Sequence, residues 1–366
     1  MMNINSAGFP PYFLLAVFGV FLGAALSGTA RLFGCRARPK TRLVMTALFF
    51  AAAIPALYRW EVARDLPLMF SGGSGFFRFA AHVFLLAVAA LVSLIDFEQY
   101  VIPDLVTIPA TILAVLLMTL LPGAAMPDYD VDPCTGAVFP KVLTAFADVD
   151  KDSFRLTVSA AAVLFWVFAM SDRRWYRRLG LRRRSALFFR RLRQSRLTWF
   201  LFGLAAAALA ALWWFYHTPA GMYELQKRAL LSALVGAAAS MTLIWGVRLI
   251  GGWVMGREAM GFGDVVLMGF LGAVFGWQGG MVLFFLAPLA GVVFGLVRLA
   301  CRSPREIPYG PFLCLAALAV IFGWEAILPR IHDFLIGPLV AAILLAMGVL
   351  MALLLWVIQI VKRCFR

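Results

Sequence analysis

"AMGFGDVVLMGFLGAVFG", residues 259–276, is an apolar run that carries one charge, Asp264, two glycines deep. A carboxylate at the edge of so oily a stretch is disfavoured in its charged form, and an ionisable side chain in such a place is a functional candidate by default. The flanking chain is of the same apolar kind. Of 366 residues 63% are hydrophobic and only 14% charged, with a mean hydropathy of +0.90, a balance that no water-soluble core of this size requires. Runs of spanning or near-spanning length begin near Tyr12, Leu43, Phe79, Val101, Leu156, Thr198, Ala229, Val265, Met281, Phe312 and Ile336. Each matches a hydrocarbon slab of about 30 Å as a helix. The expected fold is therefore all-α, a polytopic transmembrane bundle of about eleven helices. A β-barrel is excluded, because its strands would alternate polar and apolar residues over about ten positions.

No Lys or Arg precedes Arg31, so the start lacks the basic region of a cleavable signal peptide, and the first helix is expected to be retained with its N-terminus outside. Alternating spans then place the C-terminus in the cytoplasm. In that threading the inner loops hold Arg31, Arg36, Arg38, Lys40 and Arg42, then eleven Arg between 173 and 196, then Arg257, Arg298, Arg302, Arg305, Lys362, Arg363 and Arg366. This is the excess that the positive-inside rule expects. Orientation thus accounts for the net charge of +15, and no nucleic-acid partner is called for.

The outer loop from about Pro122 to Ser153 is acidic, and the next inner segment, "RRWYRRLGLRRRSALFFRRLRQSR", is basic. "DYDVD" and "DVDKD" look like openings of calcium loops, but position six is Pro133 in one and Ser153 in the other, and neither has Glu at position twelve. A solvated loop is the expectation. The Arg-rich segment interleaves Trp175, Leu179, Leu181, Phe188, Phe189 and Leu192 with its charges, the composition of a helix on anionic lipid; a topology anchor alone is the alternative. Cys35, Cys134, Cys301, Cys314 and Cys364 are scattered without a CxxC pair, so neither a metal site nor a disulfide framework is expected.

Two acids fall at the inner edge of the bundle: Asp96, ending the third helix in "LVSLIDFEQYVIPDLVTIP", and Asp264, opening the eighth after "GFG". Brought together, two carboxylates in a poorly solvated place resist double ionisation and hold one proton near neutrality. Such a pair can take a proton from water that attacks a peptide carbonyl while the protonated member supports the oxyanion and then the leaving amine. Gly261 and Gly263, lacking Cβ, would let the backbone turn tightly and let an extended substrate approach. Asp264 in a first helical turn has its anion favoured by the macrodipole. Pro103 would open the fourth helix a fixed distance after Asp96, with Asp104 alongside. Alone, a GxGD string arises by chance in roughly one chain in ten of this length, and Asp at a helix start is a common cap. Of two further residues, Arg248 is expected to snorkel or meet a carboxylate, and His82, about four turns before Asp96, to be structural.

The conjunction is more specific. "DFEQYVIPD" (Asp96 to Asp104), "EAMGFGDVVLMGFLGAVFGW" (Glu258 to Trp277) and "IPYGPFLCLAAL" (Ile307 to Leu318) occur in that order, each at an inner helix boundary. Together they resemble the type IV prepilin peptidase family, bacterial inner-membrane aspartyl proteases of the GxGD class. The resemblance covers the parts near 79–122 and 230–320. It implies that Asp96 and Asp264 are the catalytic pair, that Asp104 supports them, and that Pro308, Gly310 and Pro311 belong to the third motif. It also implies prepilin or pseudopilin precursors as partners, cut after a Gly at the cytoplasmic face, and no cofactor. Glu98 and Glu258, at that face, could attract a basic leader. The first inner loop, "CRARPKTR", has Cys35 alone where bifunctional members carry paired CxxC motifs, and Val266 stands where the family often has Lys. N-methyltransferase activity is accordingly not expected.

By motif the chain divides into 1–78, a two-helix region without the CxxC loop; 79–122, with the first Asp; 123–228, with the acidic loop, the Arg-rich segment and an extra helix pair; 229–330, with GxGD and PYGPF; and 331–366, an extra C-terminal helix. A proton-coupled transporter also uses intramembrane carboxylates, but no inverted repeat is evident and both acids lie near one face. An inactive scaffold of the same fold is a third reading.

Overall fold

The structure is a computed structural model that describes residues 11–36, 38–62, 74–131, 138–142, 151–171, 196–219, 223–255, 260–300 and 308–335. Helices dominate them: α1 (Pro11–Leu32), α2 (Pro39–Glu61), α3 (Ser74–Gln99), α4 (Asp104–Leu120), α5 (Asp152–Ser171), α6 (Arg196–Tyr216), α7 (Glu224–Met255), α8 (Phe262–Ala300) and α9 (Gly310–Leu335). Among the described residues seven helices are long and apolar enough to cross a membrane, and α4 and the start of α9 are shorter apolar helices. The chain is a helical, multi-pass membrane protein. The Arg-rich segment, Glu258 and the run after Ile336 lie outside the described residues.

Helix α8 contains two of the expected spans, those beginning near Val265 and Met281. Gly276 sits inside it at φ 71°, ψ 178°, a left-handed backbone that favours glycine. Ser240 of α7 lies against both Gly272, before this residue, and Gly280, after it, while Gly236 lies against Gly272 and Gly276. Eight residues of straight helix would separate Gly272 from Gly280 by about 12 Å, too far for both to touch one serine. The chain therefore folds sharply at Gly276. Residues 264–276 are all buried, which is why this segment is apolar all round instead of striped.

Two compact units interleave along the chain: residues 1–110, 123–142 and 285–324 form one, and 111–122, 143–284 and 325–366 the other. In the first, α1 packs along α2, and Thr46 Oγ1 donates to Gly23 O at 3.0 Å. The end of α2 meets α3 through Glu61, which accepts from Arg78 and lies 2.9 Å from His82 Nδ1; a buried charge needs such partners, and His82 is structural in this sense. In the second unit, α5 packs against α6 and α7. Lys227, fully buried, reaches Asp152 at 2.9 Å and the carbonyls of Tyr216 and Thr218 at 3.3 and 3.2 Å. Arg155 meets Glu224 at 2.7 Å and Asp152 at 3.2 Å. The extra helix pair is thus tied to the head of α7 by charges that are satisfied inside the fold.

The acidic outer loop is not wholly a solvated coil. β1 (Pro127–Val131) and β2 (Val138–Val142) pair antiparallel, with Asp128 opposite Lys141. The Asp–Tyr–Asp–Val alternation of β1 has the period of a strand.

Candidate active site

"DFEQYVIPD" forms a corner between α3 and α4. Tyr100 N–H donates to the Asp96 carbonyl at 2.9 Å, and Tyr100 adopts φ 57°, a left-handed conformation that stops the helix and costs a non-glycine residue about 1–2 kcal/mol. Three residues later the Pro103 carbonyl accepts from Val106 and Thr107 N–H at 3.0 and 3.2 Å, opening α4 with Asp104 in its first turn. Asp96 is left at the end of α3 with 5% exposure.

The third motif meets this corner. Gly310 N–H, at the start of α9, donates to Asp96 Oδ2 at 3.2 Å. Pro308 is buried just before it, and Pro311 takes an early helical position, where a missing N–H costs nothing. A Cβ on Gly310 would lie 2.7 Å from Asp96 Oδ2 and 3.0 Å from Ile102 Cδ1, so only glycine brings its amide this close to the acid.

Asp264 stands in the first turn of α8 and is 8% exposed, followed at once by the buried Val265, Val266, Leu267 and Met268. Gly261 and Gly263 are not among the glycines at positive φ, so neither relies on a left-handed backbone. Space is the physical reason for Gly261 instead: a Cβ there would lie 3.3 Å from Asp264 Oδ2. Arg248, expected to snorkel or pair with an acid, is 5% exposed. Its Nε donates to Met260 O at 3.1 Å and its guanidinium lies 5.4 Å from the Phe262 ring centroid, so it grips the segment leading into Asp264. Asp96 belongs to the first unit and Asp264 to the second.

Glu98, whose position at the inner face suggested that it could attract a basic leader, is half-buried. Arg42 Nη1 pairs with its Oε1 at 2.6 Å, so its charge is compensated within the protein. Cys35 is buried, and burial pushes its thiol above the ordinary value, Glu98 adding to the rise and Arg42 opposing it; that is an inert, structural cysteine. Neither Arg42 nor Arg248 was singled out from sequence for what it holds. Arg42 looks like an ordinary member of the positive-inside set, whereas Arg248 carried one signal, its place inside an apolar span.

A segment of the chain aligns with curated prepilin leader peptidase/N-methyltransferases. Identity is 34% over 99 residues with that of Aeromonas salmonicida, 26% of this chain and 32% of the relative. With that of Stutzerimonas stutzeri it is 36% over 111 residues, 30% and 35% of the two chains. With that of Pseudomonas aeruginosa it is 36% over 99 residues, 26% and 32%. This segment is similar to prepilin leader peptidases. The chain spans about a third of the length of these prepilin peptidases. No protein-family model matches the chain, and no solved structure does.

Proposed function

We propose that the protein is an aspartyl endopeptidase of the bacterial inner membrane that removes the leader from type IV prepilin-like or pseudopilin precursors, cutting after Gly at the cytoplasmic face. The observation that carries this reading is the hydrogen bond from Gly310 N–H to Asp96 Oδ2. It joins the first and third sequence motifs, 214 residues apart, at a buried carboxylate, and it comes from a chain whose aligned relatives are named for prepilin cleavage. In this reading Asp96 and Asp264 share a proton over one water. The ionised acid takes a proton from the water, whose oxygen bonds to the scissile carbonyl carbon. The protonated acid supports the oxyanion and delivers its proton to the amine as the C–N bond breaks, which returns the pair to one proton. Asp104 assists from the first turn of α4. The relatives are also named for N-methyl transfer, but with Cys35 alone in the α1–α2 loop the proposal assigns this chain cleavage only, with no cofactor.

The test is Asp96→Asn and Asp264→Asn in cells that carry a tagged precursor. Each variant is expected to leave the leader attached, a loss of at least about a thousandfold in rate for a general acid or base acting with its partner. Clipping at the wild-type rate by either variant would sink the reading.

A further inference from the structure

The short loop between α1 and α2 is fastened to the end of α3 by more than its length requires. Arg42, 7% exposed, spends its guanidinium on three partners: Glu98 Oε1 at 2.6 Å, the Cys35 carbonyl at 3.0 Å and Ser27 Oγ at 3.4 Å. Gln99 Nε2 donates to the Phe33 carbonyl. Beneath these bonds Ala30, Cys35, Leu91 and Ile95 form a buried apolar cluster. Every α3 residue held in this way lies within five positions of Asp96.

The last turn of a helix lacks intrahelical partners for its carbonyls and is where helices fray. Here that turn carries the acid, and Gly310 supplies a single bond to its carboxylate. A general acid or base needs its oxygen held within about 0.5 Å of the productive place. The planar fork of Arg42 suits a rigid tie of this kind, since it can bond a carboxylate and a carbonyl at once in fixed geometry, and its positive charge also complements the C-terminal end of α3.

We propose that Arg42 is a positioning residue for the cleavage reaction: through Glu98 and the Cys35 carbonyl it locks the last turn of α3 to the α1–α2 corner and thereby fixes the direction of the Asp96 carboxylate. This rests on the peptidase reading above. The α1–α2 loop then acts on the reaction through the placement of Asp96.

The experiment uses the full-length protein in detergent and a tagged precursor with a basic leader, a Gly and an apolar helix. Arg42→Ala and Glu98→Ala are each expected to lower kcat at least tenfold with KM within twofold, because the leader's own contacts are untouched. The double variant should be no slower than the slower single one, since both remove one tie. Arg42→Lys, which keeps the charge and loses the fork, should recover only part of the rate. Thr46→Val is the control: it removes the hydroxyl's bonds to the carbonyls of Gly23, Arg42 and Leu43 while leaving the Arg42 guanidinium its partners on α3 and the loop, and should keep kcat near the wild-type value at a comparable drop in Tm. Arg42→Ala with wild-type kcat, or with a loss no greater than that of Thr46→Val at equal Tm, overturns the proposal. If Arg42→Ala does not fold, the double variant, which buries no lone charge, carries the measurement; its failure to fold would make Arg42 a strut and also overturn the proposal. Asp96→Asn is run beside these. If it still cleaves, the peptidase reading fails; if it is dead while Arg42→Ala is unaffected, only the positioning role fails.

Discussion

Replacing Gly310 with alanine separates the reading of the PYGPF segment as a donor to Asp96 from its reading as an ordinary helix start. The new methyl carbon would lie 2.7 Å from Asp96 Oδ2 and 3.0 Å from Ile102 Cδ1, against a comfortable separation of about 3.5 Å. Relief requires the carboxylate or the start of α9 to retreat by roughly 0.5–1 Å. The amide bond, already 3.2 Å long, would then leave hydrogen-bonding range. A hydrogen bond to a charged acceptor contributes about 1.5–3 kcal/mol. Expressed fully in the transition state, that loss slows cleavage by roughly 10- to 150-fold. The assay is the initial rate of leader removal from a tagged precursor in membranes, with Tm measured on the same preparation. Gly203→Ala and Gly246→Ala serve as controls, since a Cβ at either meets nothing within 4 Å. Both should keep the rate and, as helix-interior replacements, gain up to about 1 kcal/mol. A Gly310→Ala enzyme within twofold of the wild type would refute the claim that this amide matters to Asp96.

Two further outcomes are expected. Gly276→Ala forces a residue with a Cβ into φ 71° at the fold in α8, so stability should fall by about 1–3 kcal/mol, read as a lower Tm; an unchanged Tm would mean that the break does not need a left-handed residue. Arg248→Met keeps the apolar stem and removes the donor to the Met260 carbonyl, which should cost on the order of 1 kcal/mol in the placement of the segment before Asp264. A severalfold lower kcat at unchanged KM is the expected reading, and wild-type kcat would show that the grip does not reach the acid.

What the sequence disclosed, and what it withheld, follows from the range of the forces involved. Spans are a local property, because some twenty apolar residues make a helix in hydrocarbon whatever surrounds them, and the described helices follow the apolar runs. The start of α4 after Pro103 and the placement of Asp264 in a first turn are equally local. The break in α8 was foreshadowed by length, since 39 residues exceed one span, but its position was not: Gly269, Gly272, Gly276, Gly279 and Gly280 are equivalent to a reader of one strand of text. Ser240 and Gly236 of α7 fit against the segment on both sides of Gly276, and that contact belongs to packing.

Charges were the hardest to read. Arg42 counts once in the positive-inside set and Glu98 once among the inner-face acids, and a charge count assigns both to water. The fold instead buries Arg42, half-buries Glu98 and joins them at 2.6 Å. Removing Glu98 alone would leave the buried Arg42 charge without its carboxylate, which is costly. The same holds in the second unit, where Lys227 and Arg155 look like loop residues next to a helix start and are among the most buried side chains of the protein. A membrane protein of this composition has few charges to spend. Where one is buried beside a helix end, its partner indicates which segments the fold holds rigid: Arg42 ties the α1–α2 loop to the end of α3, which is what the proposed positioning role rests on, and Lys227 ties the head of α7 to α5 and to the end of α6.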